Sequence, residues 1–228
     1  MFQHFDAKLV AFLKALSRNN DKKWFQANKD RFAAEVQEPL LAFVEALEPR
    51  IRRISKHILV EAKKSGGSLS RIFRDTRFSK DKNPYHTHVS AIFRHEVGKK
   101  APAPGFFFRV DTKEVTLGTG IWQPEGPALL KIRKAIANDA AKWKKASRNA
   151  KFTKRYPKLG GESLKRPPKG FDPEHELVDD LRRKDFVAFC HLPLKQLQSK
   201  KILDDVEAGY TVSKPFVSFL CDALKLKF

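Results

Sequence analysis

Apolar residues change their spacing twice along this chain, and any fold must satisfy both spacings. Leu9, Phe12, Leu13 and Leu16 fall at i, i+3, i+4 and i+7, which predicts an amphipathic helix over 6–17 with Asp6 as its N-cap. Asn19 and Asn20 break it. A second helix is predicted from Asp21, with Trp24, Phe25, Asn28 and Phe32 on one side. A third runs to Ser55 through Leu40, Leu41, Phe43, Val44, Leu47, Ile51 and Ile54, kinked or restarted at Pro39 and Pro49. Beyond the Gly66–Gly67 turn signal, short runs rich in Phe, Ile and Val near 69–74, 88–94, 106–111 and 114–121 carry strand spacing. The last two form a hairpin turning at 111–114, and Pro84 and the 101–104 linker interrupt otherwise antiparallel pairing. After Pro124 the helical stripe returns over 127–147 with Leu129, Ile132, Ile136, Ala140 and Trp143. The segment 151–171 is rich in Lys, Pro and Gly and reads as a long surface loop. A helix near 174–183, a strand at 186–192 and helices near 194–207 and 213–225 follow. Helices on both sides of a block of strands specify an α+β fold, a central antiparallel sheet packed with helices from both ends of the chain.

At 228 residues the chain suits one domain with a sizeable core. The two cysteines, Cys190 and Cys221, sit in apolar runs with no disulfide framework, which fits a reducing compartment. The first residues lack a basic region followed by an apolar core, and no apolar run reaches a membrane span. The expectation is a cytoplasmic protein with no membrane partner.

Charge is unevenly placed. The formal net charge is +20, and residues 131–170 carry 14 Lys and Arg against 2 Asp and Glu. Concentration of this kind makes a cationic face, drawn to phosphate-bearing partners. Lys131, Lys134, Lys142, Lys145, Lys151, Lys154 and Arg155 are the residues that would meet nucleic-acid phosphates, with Trp143, Phe152 and Tyr156 available to stack on bases. Trp143 also falls on the core stripe. Solvated lysine faces are common, and no helix-turn-helix, zinc finger or RNA-binding sheet motif accompanies the charge.

The densest chemistry lies in residues 71–85. Arg71, Arg74 and Arg77 recur at three-residue spacing beside Asp75 and Asp81, with Phe73 and Phe78 as anchors and Lys82 and Tyr85 closing the run. Guanidinium groups suit forked recognition of phosphate or carboxylate. Two readings stand together: a structural network in which the carboxylates orient the arginines, or an anion site using Arg71, Arg74, Arg77, Lys82 and the Tyr85 hydroxyl. Three arginines outnumber two aspartates, which favours the site. Asp75 and Tyr85 are the acid–base candidates should the ligand be a phosphorylated substrate.

The run Arg71, Arg74, Asp75, Arg77, Phe78, Asp81, Lys82, Tyr85 resembles the signature of DUF2461, a bacterial and fungal domain family of unknown function. Softer resemblances cover 19–25, 118–124 and 165–170, so the likeness spans nearly the whole chain and implies a single domain, 1–228. It implies a shared fold and constellation and brings no activity.

Other patterns are weaker. His86 and His88 form the one close histidine pair, with no third ligand at a recognisable spacing, so neither a metal nor a cofactor is expected. Gly118 and Gly120 lack the third glycine of a dinucleotide loop; they permit a tight strand end and, with Asn19, Asn20 and Trp24, could adjoin the arginine site. Binding of an anionic, phosphate-bearing ligand, nucleic acid among them, is the first reading. An enzyme acting on a phosphorylated small molecule and an interaction protein without a ligand are the alternatives.

Overall fold

The computed structural model describes residues 2–98 and 100–228. Five antiparallel strands form one sheet in the order β1-β2-β3-β5-β4. They are β1 (Val89–Arg94), β2 (Gly105–Val110), β3 (Glu114–Ile121), β4 (Leu159–Gly160) and β5 (Phe186–Pro193). Helices precede, interrupt and follow them, giving the α+β fold expected from the two spacings.

Helix α1 (Ala7–Arg18) starts where expected, the Asp6 carboxylate accepting from the Lys8 N–H at 2.8 Å. Helix α2 (Lys22–Ala27) is capped in the same way by Asp21 on Trp24. Helix α3 (Lys29–Phe32) runs through a π turn at Ala33–Gln37 into α4 (Glu38–Ile54). Pro39 lies in the first turn of α4, directly after the π turn, and Pro49 is carried inside the helix. The 111–114 hairpin turn forms as expected, with the Asp111 side chain accepting from the Lys113 and Glu114 N–H groups.

Elsewhere the boundaries move. The predicted strand at 69–74 makes only isolated bridges, Leu69 to Ala91 and Phe73 to Tyr85. The predicted helix over 127–147 is two, α5 (Gly126–Asn138) and α6 (Ala140–Ser147), because Asp139 leaves helical geometry to cap the second through the Lys142 N–H. The surface loop predicted from 151 contains α7 (Ala150–Arg155), begun by an Asn149 cap on Phe152, and the short β4. Helix α8 is only Val178–Leu181. The two predicted C-terminal helices are a 3-10 turn at Leu194–Gln198 and one long helix, α9 (Ile202–Ala223), which runs through Pro215.

Alternation along the strands decides the layers. Phe93, Phe106, Phe108, Leu117 and Phe186 point to the helical face and are buried. Phe108 meets Phe43 of α4 at 4.5 Å between ring centroids, and Phe106 stacks on Tyr210 of α9 at the same distance. Each such ring contributes about 1.5–3 kcal/mol through burial. Alternate residues face the other way, where no helix among the described residues covers the sheet's central strands: Ser90, Ile92, Arg94, Gly105, Phe107, Arg109, Thr116, Gly118, Gly120, Val187, Phe189 and His191. Among the described residues no helix is long and apolar enough to cross a membrane.

Candidate anion-binding site

Residues 71–85 form a loop closed by a narrow ladder. The Arg74 N–H donates to the Pro84 carbonyl at 2.9 Å and the His86 N–H to the Ile72 carbonyl at 2.8 Å. Asn20 braces it from α2's side: its amide donates to the Tyr85 carbonyl at 2.9 Å and accepts from the Tyr85 N–H at 3.0 Å. A side-chain amide thus replaces a neighbouring strand. The Tyr85 ring lies flat on Phe25 at 4.1 Å and is 2% exposed. Burial, with the nearby Asp21 charge, pushes its hydroxyl upward in pKa.

The arginines separate by role. Arg74 donates to Asp81 at 2.5 Å, to the Asn83 carbonyl at 3.1 Å and to Ser79 at 3.5 Å, tying the loop across its base. The Asn83 N–H and then Arg74 hold the Asp81 carboxyl below its ordinary range. Arg77 forks onto Asp75 at 2.7 and 3.0 Å in open solvent, which lowers the Asp75 carboxyl and raises the guanidinium; such exposed pairs add little stability. Lys82 donates to the Thr76 carbonyl at 3.1 Å. Among the described residues Arg71 alone of the three has neither an ion pair nor a side-chain hydrogen bond, though its charge helps lower the Asp75 carboxyl.

Arg71 lines a cleft of about 550 Å³ between the start of α3 and the stretches 64–73 and 86–90. Lys29 and Lys64 line it as well, and neither has a carboxylate partner among the described residues. No Asp or Glu is among the lining residues. Phe25, Phe32, Leu40 and Leu69 supply apolar wall, and Ser70, Ser90, His86 and His88 supply neutral polar groups. The two imidazoles stand 4.8 Å apart. Burial, then Arg109, pulls His88 down to about 4, and burial, then Arg74, lowers His86. His88 is therefore neutral at pH 7.

A family model described as a conserved hypothetical protein, DUF2461, matches residues 8–219. The chain belongs to the DUF2461 family. No curated protein and no solved structure matches it.

Within this DUF2461 chain the residues singled out by sequence are divided rather than gathered. Arg71 faces the cleft; Arg74, Arg77 and Lys82 are engaged inside their own loop. Asp75 and Tyr85 share no hydrogen bond, one lying in solvent and the other in the core. Phe73 and Phe78, expected as anchors, are 58% and 96% exposed, and Tyr85 anchors the loop instead. Asn20 does adjoin the segment, as a brace. Gly118 and Gly120 lie on the open sheet face and line a different cavity.

The basic stretch is also divided. Lys142 pairs with Asp222, Lys144 with Glu176, and Arg148 with Asp180. Lys131, Lys134, Lys145, Lys151 and Lys154 are exposed and without carboxylate partners among the described residues. Arg155 turns inward and donates to the Asp205 carbonyl at 3.0 Å, so it is not a surface cation. Trp143, Phe152 and Tyr156 are at most 1% exposed and cannot stack on bases. Sequence reasoning missed Lys29 and Lys64 as partners of Arg71. Nothing in their spacing links them; only the fold brings them to one cleft.

Proposed function

We propose that this DUF2461 protein binds a small phosphate-bearing ligand in the cleft beside the 71–85 loop, with Arg71, Lys29 and Lys64 as its cationic grip. The observation that carries this reading is three cations around one cavity, none in an ion pair among the described residues, with no carboxylate in its lining. Cations lining one cavity that has no carboxylate in its lining give it a positive potential that draws an anion. The apolar wall of Phe25, Phe32, Leu40 and Leu69 suits a ligand with a hydrophobic body behind its phosphate. The free, buried Cys190 and Cys221 support a reducing compartment such as the cytoplasm.

Calorimetric titration with phenyl phosphate tests the reading. Arg71→Gln should weaken binding by about tenfold or more, as loss of a charge-assisted contact does, while Arg77→Gln should leave it unchanged. Undiminished binding in Arg71→Gln refutes the assignment. A second reading rests on the unpaired Lys131, Lys134, Lys145, Lys151 and Lys154, which supply long-range attraction for a polyanion such as nucleic acid. Filter binding over a salt series reads this directly, and no retention even at low salt rejects it.

A further inference from the structure

A second cavity, of about 820 Å³, lies on the open face of the sheet. Its shape follows from register. One row across the sheet reads Ile92, Phe107, Gly118, Phe189, and the next reads Arg94, Gly105, Gly120, Val187. In the first row a side chain at Gly118 would stand 2.9 Å from the Phe189 ring and 3.1 Å from the Phe107 Cβ, so the Phe189 ring covers that glycine. In the second row Gly105 and Gly120 line the cavity with bare backbone, and a side chain at either would strike a neighbouring carbonyl, that of Phe93 at 2.5 Å or that of Phe186 closer still. Two residues past Gly120, Trp122 rises from the same face, 58% exposed and 6.4 Å from the Phe189 centroid. The result is a trough floored by backbone and walled by aromatic rings.

The wall is held in place at some cost. Gln123, next to Trp122, has a φ of 45°, which L-residues seldom adopt. Asp185, 1% exposed and without a cation partner, fixes that turn by accepting from the Gln123 N–H at 2.7 Å and the Glu162 N–H at 2.8 Å. A strained residue supported by a buried carboxylate is the kind of feature found at ligand sites.

Charge selects the occupant. Around the trough Arg109 faces Asp111 at 3.4 Å, and Glu114 faces His191 at 2.7 Å. Arg94 and Glu125 have no side-chain partners among the described residues. Carboxylates outnumber arginines in the lining, so a polyphosphate or a nucleic-acid strand is disfavoured. We propose that this trough is a second ligand site, separate from the cationic cleft, for a flat aromatic molecule bearing one carboxylate and an N–H donor. The ring lies on the glycine floor against Trp122 and Phe107, the carboxylate meets Arg94, and Glu125 accepts the N–H.

Indole-3-acetate is a suitable probe, titrated calorimetrically into the full chain. Arg94→Gln and Trp122→Ala alter exposed side chains, and circular dichroism checks that each variant is folded. Each should weaken binding by about tenfold, whereas Arg71→Gln should not change it. No binding to the wild-type chain at millimolar probe, or equal affinity in wild type and both variants, overturns the proposal. Loss of binding in Arg71→Gln alone moves the probe to the cationic cleft and also overturns it. So does concentration-dependent self-association abolished by Trp122→Ala, which would make the trough a contact between copies.

Discussion

Acidification should expose the His88 imidazole as a weak point of the fold. Its pKa falls from 6.5 to about 4 on folding, because burial removes water and Arg109, His86 and Arg74 add positive potential, opposed only by Asp111. A histidine with a depressed folded pKa binds its proton more readily when unfolded. Its contribution is therefore fully present above about pH 6.5 and is lost as pH falls towards about 4. With one pKa unit worth about 1.4 kcal/mol the unscreened effect is about 3 kcal/mol, and solvent screening of this half-buried ring reduces it to about 1–2 kcal/mol, more than half of it gone by about pH 5. His86 shifts in the same direction and adds to the loss. Asp75, Asp81 and Glu176 have lowered pKa values and release their contributions only at more acidic pH. Urea denaturation near pH 7.5, 6 and 5 measures the slope, and His88→Gln should flatten it. A proton-NMR titration placing His88 at 6 or above, or an unchanged slope in the variant, refutes the reasoning. Both imidazoles line the cationic cleft, so a bound phosphate would draw the His88 pKa upward.

Two further substitutions probe the fold and the division of the arginines. Asp180, 4% exposed, accepts from the Trp143 indole at 2.9 Å, from Arg148 at 2.7 Å and from Arg183 at 3.2 Å. Asp180→Asn should cost about 2–4 kcal/mol by urea titration, and a loss below about 0.5 kcal/mol would show the network to be dispensable. Arg74→Ala should destabilise by about 1–2 kcal/mol through loss of the ties across its loop, while Arg71→Ala stays within about 0.5 kcal/mol. Equal destabilisation by the two would place Arg71 in the structural network.

How far the sequence could be read depended on whether a signal was local. The cap by Asp6, the start of the second helix at Asp21 and the hairpin at 111–114 are set within a few residues and stand where the spacing placed them. The stripe over 127–147 instead splits at Asp139, and the C-terminal stripes become a 3-10 turn and one long helix. The 69–74 segment has strand composition, yet the tertiary partner that would complete a ladder is largely absent, leaving two bridges. At the site three arginines meet two aspartates, and one guanidinium makes no ion pair among the described residues. The count could not say which arginine stayed unpaired. That follows from which carboxylate each can reach, Asp75 lying two residues from Arg77 and Asp81 reaching back to Arg74. Tyr85 looked chemical because it is polar and ends a charged run. Its ring instead meets Phe25, from a helix sixty residues earlier in the chain.

Strands β3 and β5 lie side by side although residues 122–185 separate them, and that excursion contains α5 to α8 and the short β4. The β1–β2–β3 meander joins neighbours in sequence and can zip by local steps. The β3–β5 ladder must wait until a long stretch of chain has been gathered. The entropy of closing a loop rises only slowly with its length, so the excursion delays assembly more than it weakens the finished sheet. Until that pairing is made, the outer edge of β3 stands open, and early folding has to keep that edge from meeting other chains.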